Sequence, residues 1–210
     1  MTDEVIDGKY RGWADRVADV MTTAHADFTY VNLAVRGKLI SQVVEGQVPK
    51  ALSYVTGPET LVSFHAGAND ALRPGYQASV AIPLYQEAVR MIAKSGATLM
   101  LFTVLEDTGN SGRGSKLWQE RFGAFNKGVR EVAAEVGAII MDANQERFFS
   151  DKRFLAFDRL HLNALGHSRC ADAILEKLGY EFDAGWRTPL PPAKPPRFRP
   201  PLPLSFTTFN

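Results

Sequence analysis

The run Ala97-Thr98-Leu99-Met100-Leu101-Phe102-Thr103-Val104-Leu105 constrains the fold more than any other stretch. It is about half the length a membrane-spanning helix needs, and it lacks the polar alternation of a strand with one face in water. It therefore reads as a strand buried on both faces. A second, shorter apolar run, Ala138-Ile139-Ile140-Met141, ends at Asp142 and reads the same way. Strands of this kind belong to a parallel sheet covered by helices on both sides.

The rest of the chain supplies those helices. Trp13, Val17, Val20, Met21 and Ala24 fall at helical spacing within residues 11–24, with Asp15, Arg16 and Asp19 on the other side. Residues 28–34 are rich in β-branched and aromatic side chains and predict a strand, closed by Arg36-Gly37. A helix is expected over residues 39–52 and another strand over 61–65, the latter stopping at the polar loop Ala66-Gly67-Ala68-Asn69-Asp70. Leu84, Ala88, Met91 and Ile92 mark a helix closed by Gly96. A long helix from about Trp118 to Val136 follows the loop Gly109-Asn110-Ser111-Gly112-Arg113-Gly114-Ser115. Ala171, Ile174, Leu175 and Leu178 trace the last helix, stopped by Gly179. The expectation is one domain over residues 1–185, with no internal repeat. Eight of the twelve prolines lie between Pro189 and Pro203, so residues 186–210 predict an extended, loosely docked tail.

Lysine and arginine number 24 against 23 acidic residues, which leaves no electrostatic footprint for nucleic acid or an anionic membrane. No run is long enough for a membrane span, and Met1-Thr2-Asp3-Glu4 is neither basic nor apolar as a signal region would be. The single cysteine, Cys170, excludes an intrachain disulfide and fits a reducing, cytoplasmic setting. Its helical position predicts a packed thiol rather than a nucleophile.

Ligands of open parallel sheets bind beyond the carboxyl ends of the strands. Three loops there carry groups with a common chemistry. In Asp158-Arg159-Leu160-His161 a carboxylate three residues before an imidazole can hold one ring nitrogen and leave the other free, as a general base requires. Gly37 offers a backbone N–H and Asn69 a side-chain amide, two donors for a developing oxyanion. Taken singly, the same residues read as a turn glycine, a cap and a packed histidine. His25, His65 and His167 have structural roles as their default.

Asn32-Leu33-Ala34-Val35-Arg36-Gly37, Gly67-Ala68-Asn69-Asp70 and Asp158-Arg159-Leu160-His161-Leu162-Asn163, in this order, resemble the second, third and fifth blocks of the SGNH, or GDSL, hydrolase superfamily of esterases and lipases. The resemblance spans about residues 10–179. It implies a flavodoxin-like, three-layer α/β/α sandwich with a parallel sheet, and a serine-type ester hydrolase acting on a small-molecule ester without a cofactor or metal. His161 would be its base, Asp158 the partner of that base, and Gly37 and Asn69 the oxyanion donors. The acyl and alcohol groups cleaved are not encoded in any readable motif.

The family's first block, Gly-Asp-Ser at the end of the first and central strand, is absent from these residues. Met1-Thr2-Asp3-Glu4 followed by Arg11-Gly12-Trp13 looks like the continuation of that block, so the nucleophile is expected immediately before Met1. Ser41, Ser63, Ser111 and Ser115 are not at a tight strand-to-helix turn and do not replace it. Without the central strand, residues 28–34 and 61–65 lack their shared neighbour, and an empty strand width, an abnormal closure or a strand from another chain is expected between them. The chain as it stands is then inactive. The rival expectation is a non-catalytic protein that binds acyl or glycan ligands on the residual site, or a non-functional fragment. A nucleotide-binding module lacks a glycine-rich motif after an early strand, because Gly109-x-x-x-x-Gly114-Ser115-Lys116 is late and has serine and lysine in the wrong order. A metal hydrolase using Asp70, Asp158 and His161 lacks the tight ligand spacing such a site needs.

Overall fold

The computed structural model describes residues 5–6, 8–107, 113–145, 149 and 151–192. A two-residue antiparallel pair, β1 (Val5–Ile6) and β2 (Lys9–Tyr10), precedes helix α1 (Trp13–Ala24). The Gly12 N–H donates to Asp15 Oδ2 at 2.7 Å, which closes the first turn of that helix. Helices α2 (Ile40–Gln42) and α3 (Val48–Leu52) are joined by a π turn over Val43–Gln47. Pro49 accounts for the turn: it has no N–H for the Glu45 carbonyl and its ring crowds that oxygen. The Val48 N–H donates instead to the Val43 carbonyl, one residue further back.

The sheet consists of β3 (Leu61–Phe64), β4 (Thr98–Phe102) and β5 (Ile139–Met141), all parallel and in that order. Between them run α4 (Ala68–Ala71), α5 (Ala78–Ala93) and α6 (Arg113–Val136), and α7 (Ala164–Leu178) closes the domain. The two-residue period of β4 sorts its side chains between two cores. Leu99 and Leu101 pack with Phe64, Tyr85, Phe125 and Val129 under α5 and α6, whereas Met100 and Phe102 pack with Val17, Ile174 and Leu175 under α1 and α7. Helix, sheet and helix thus form three layers, the α/β/α arrangement that the apolar runs predict. Helix α6 begins at Arg113, ahead of the predicted start, so Ser115 lies in its opening turn rather than on a loop. Residues 108–112, including Ser111, are outside the described ones.

One predicted strand is not a strand. Residues 28–34 form no ladder and do not pair with β3. They are held by side chains: Gln47 Nε2 donates to the Leu33 carbonyl, the Tyr30 hydroxyl donates to Asp15 Oδ1 at 3.1 Å, and Asn32 Oδ1 accepts the Ala34 N–H at 3.0 Å. Among the described residues no strand lies alongside residues 28–34, and the outer edge of β3 is unpaired as well. A segment with strand propensity becomes a strand only where a neighbour offers matching donors and acceptors. On the same open side, Ser63 and His65 are exposed.

The packed chain continues beyond residue 185. Trp186 is buried in a short 3-10 turn, Ala184–Arg187, with its indole N–H donating to Glu176 Oε2 at 2.9 Å. Among the described residues no helix is long and apolar enough to cross a membrane.

Candidate active site

The loop after β5 leads to a small hairpin that presents Asp158 and His161. Its base is the antiparallel bridge between Leu155 and Leu162, and the Ala156 N–H donates to the His161 carbonyl at 2.7 Å. Asn163 fixes the exit by donating from Nδ2 to the carbonyls of Arg153 and Leu155, while its Oδ1 accepts the Gly166 N–H and so caps α7. At the tip, Arg159 adopts φ 58°, a left-handed conformation disfavoured for a residue with a Cβ. That kink brings Asp158 back onto its own loop. Asp158 Oδ1 accepts the N–H groups of Leu160 and His161, both at 3.0 Å, and Oδ2 lies 2.7 Å from His161 Nδ1.

Burial pushes the Asp158 carboxyl up, but the His161 and Leu160 N–H groups and the His161 ring outweigh it and hold the pKa at about 2. The carboxylate is therefore ionised at neutral pH and fixes the tautomer with the proton on Nδ1. His161 Nε2 has no hydrogen-bond partner among the described residues, and half of the side chain is open to water. An imidazole oriented in this way, with its second ring nitrogen free, is the arrangement that general-base chemistry requires.

The two oxyanion candidates meet at the end of β3. Asn69 sits in α4, and its Nδ2 donates to the Lys38 carbonyl at 3.0 Å, next to Gly37. An amide nitrogen carries two hydrogens, so one remains for another acceptor. Gly37 has φ 82°, and a Cβ built there would meet nothing within 4 Å, so its face is open. Asp70 Oδ2 accepts the Ile40 N–H at 3.1 Å, tying the same two loops a second time. Gly67 makes the turn possible: it has φ 103° and lies under the Phe125 ring, 2.1 Å from where a Cβ would be.

The structure thus brings together Gly37 with Asn69, and Asp158 with His161. Asn69 follows the carboxyl end of β3 and the Asp158 hairpin follows that of β5, two strands of one parallel sheet, and among the described residues no hydrogen bond links the two pairs. Of the serines, Ser41 lies in α2, Ser63 within β3 and Ser115 in α6. His25 caps α1 and bonds the Tyr180 hydroxyl at 2.8 Å, His65 lies against Phe102, and His167 Nδ1 accepts the Trp13 N–H at 3.3 Å. Burial pushes the Cys170 thiol up to about 12, which makes it a packing group. Among the described residues no three His, Cys, Asp or Glu side chains converge as metal ligands would.

Sequence reasoning missed a polar cluster at the carboxyl ends of β4 and β5. Arg130 donates to both oxygens of Asp142 at 2.7 and 3.1 Å, and the Thr103 hydroxyl donates to Asp142 Oδ1 at 2.9 Å. Fully buried Asn126 bonds the Val104 N–H and carbonyl and Glu106 Oε1, each within 2.8 Å. Burial raises the Asp142 carboxyl, and the Arg130 and Thr103 bonds bring it below its ordinary value. These partners are far apart in sequence, so no local spacing announces them. The cluster fixes the start of the loop that leads to the hairpin. A shallow groove of about 450 Å³ is lined by Arg130 and Asp142 of this cluster and another of about 400 Å³ by Asp172 and Phe182, and neither is lined by Gly37, Asn69 or His161.

The profile of the GDSL-like lipase/acylhydrolase family matches residues 1–169. The chain belongs to that family. Its fold is similar to that of Axe2, an acetylxylan esterase from Geobacillus stearothermophilus, with a TM-score of 0.67 at 16% identity over 86% of this chain and 87% of that one. LAE5, an alpha/beta hydrolase enzyme from the metagenome of Lake Arreo, Spain, superimposes with a TM-score of 0.68 at 17% identity over 84% and 85% of the two chains. For the psychrotrophic esterase EstA from Pseudoalteromonas sp. the values are 0.59, 18%, 80% and 86%. One serine and one histidine variant of Axe2 are described as catalytic mutants of that enzyme. No curated protein matches the sequence. Family and fold together support a hydrolase, and by family resemblance an ester hydrolase.

Proposed function

We propose that this chain carries the acid–base and oxyanion-binding parts of a serine ester hydrolase and lacks the nucleophile. The observation that carries the reading is His161, with Nδ1 on an ionised Asp158 and Nε2 free. In the completed site Nε2 would take the proton of a serine hydroxyl as that oxygen attacks the ester carbonyl, and would return it to the departing alkoxide. The Gly37 N–H and the second Asn69 hydrogen would stabilise the tetrahedral oxyanion. In the second half-reaction water replaces the serine and the same base serves again. Asp158 acts on His161 and remains a carboxylate throughout.

The open edge of β3 supports a place for the nucleophile. A parallel strand added there would lie between β3 and residues 28–34 and end on the same rim as Asn69. A Gly-Asp-Ser turn at its end would place a serine beside Asn69 and Gly37. Acetyl esters are the first substrates to try, since Axe2 acts on acetylxylan by its description.

The test compares the 210-residue chain with one extended at its N-terminus by an apolar strand ending in Gly-Asp-Ser, using 4-nitrophenyl acetate. The shorter chain is expected at background. The extended chain is expected to turn over, and to lose at least about 1000-fold in kcat on His161→Ala. Equal hydrolysis by both chains, or a His161→Ala variant as active as its parent, contradicts the proposal.

A further inference from the structure

The base of the Asp158–His161 hairpin is gripped by a part of the chain that the family's blocks do not include. Arg153, at the start of the hairpin, donates from Nη2 to the Leu190 carbonyl at 3.3 Å and from Nη1 to the Pro191 carbonyl at 2.5 Å. Its own carbonyl accepts Asn163 Nδ2 at 2.7 Å, so the same residue ties the hairpin's two arms. Arg169, on α7, donates from Nη1 to the carbonyls of Trp186 and Thr188 at 2.9 and 2.6 Å. The Arg169 guanidinium also lies over the ring of buried Phe154, 4.7 Å from its centroid. Phe154 is the hairpin's root, since its carbonyl accepts the Asn163 N–H at 2.9 Å.

The far end of the segment is anchored separately. Trp186 is 3% exposed, and Glu176 holds its indole N–H and, at 2.6 Å, Arg187 Nη1. Four backbone carbonyls, at residues 186, 188, 190 and 191, thus receive two arginines that belong to the hairpin and its supporting helix. Proline suits this arrangement, because a proline-rich strand is extended before it docks and its carbonyls cannot be taken up in a helix. Charge-assisted bonds to several such carbonyls fix a loop more firmly than neutral ones would.

We propose that residues 186–191 form a strap that positions His161, acting through Arg153 and Arg169. The strap holds the hairpin root, the root sets the approach of Asp158 to Nδ1, and Nε2 is thereby kept toward the reacting side. Arg153 and Arg169 are positioning residues in this scheme and touch no substrate. The inference rests on the reading of His161 as a base, yet its test needs no catalysis.

In the full ¹⁵N-labelled chain the His161 Nδ1–H bonded to Asp158 gives a low-field proton resonance whose exchange with water reports how well the pair is held. Arg153→Met, which keeps the stem and removes the donors, is expected to speed that exchange at least about tenfold. Arg153 also donates from Nε and Nη2 to the Asp151 carboxylate at 2.6 to 3.0 Å; Asp151→Asn breaks that ion pair but leaves Arg153 its strap carbonyls, and it is expected to change the exchange by less than about twofold. Arg153→Lys, with one charged donor retained, should fall between the two. Melting temperature is read in parallel to separate hairpin opening from unfolding. Exchange in Arg153→Met equal to the parent's overturns the strap, as does an equal effect of Asp151→Asn, because the ion pair would then be the holding element. If the extended chain fails to hydrolyse esters while these differences persist, the reading of His161 as a base fails and the strap stands.

Discussion

The Asp158 carboxyl is where the site's chemistry and the fold's stability meet. Its pKa, about 2, lies below the ordinary value of 3.8, so the folded state favours the charged form. That contribution is fully present above about pH 4 and is lost as the pH falls through about 2. Asp158→Asn keeps an oxygen for the Leu160 and His161 N–H groups but puts an NH2 group where Oδ2 faces His161 Nδ1, so it removes the charge and that acceptor together. The variant is expected to be about 1 kcal/mol less stable at pH 7, with the difference vanishing near pH 2, by urea unfolding at several pH values. A second residue-scale prediction concerns Gly67. A methyl there collides with the buried Phe125 ring at a φ that L residues avoid, so Gly67→Ala should cost roughly 3 kcal/mol or more in the same assay. Because Gly67 sets the turn that carries Asn69, the loss should be accompanied by a shifted Asn69 side-chain amide resonance. The contact of Asp158 with His161 was legible in the sequence because a three-residue spacing already implies it, whereas the bond that ties Asn69 to Lys38, beside Gly37, spans 31 positions and was not. Arg130, Asn126 and Arg153 were not, since each acts on a partner 10 or more positions away through a fold that spacing does not show.

At the scale of elements, the contrast between β4 and residues 28–34 is the informative one. Both have strand-forming composition. Only β4 has a parallel neighbour on each side, through Leu99 with Val62 and Leu101 with Ile140. Propensity was therefore readable in the sequence for both, whereas pairing, which decides the outcome, depends on what lies alongside. The same dependence explains the π turn over Val43–Gln47, where one proline redirects a helix whose apolar face was correctly legible. Amide exchange should separate the two segments, with residues 29–34 exchanging at least about 100-fold faster than Leu99–Leu101 in the 210-residue chain. Adding the proposed strand should slow the amides of residues 29–34 by a comparable factor. Equal protection in the shorter chain would mean that residues 28–34 already have a stable set of backbone partners.

For the whole molecule, the three layers, the buried strands and the membership of the GDSL-like lipase/acylhydrolase family form one consistent picture. The proposed oxyanion pair follows β3 and the proposed base pair follows β5, and the segment beyond Trp186 reaches back to the hairpin that carries the second of them. That last relation was hidden because composition shows that a segment is extended and says nothing of where it docks. The central claim is that these 210 residues hold an oriented base without a serine for it to activate. A fluorophosphonate probe, which is captured only by a serine activated in such a site, tests this most directly by intact mass. The extended chain should gain one phosphonyl group on the serine of the added Gly-Asp-Ser, and the 210-residue chain none. Labelling of Ser41, Ser63 or any other serine of the shorter chain, abolished by His161→Ala, would contradict the account.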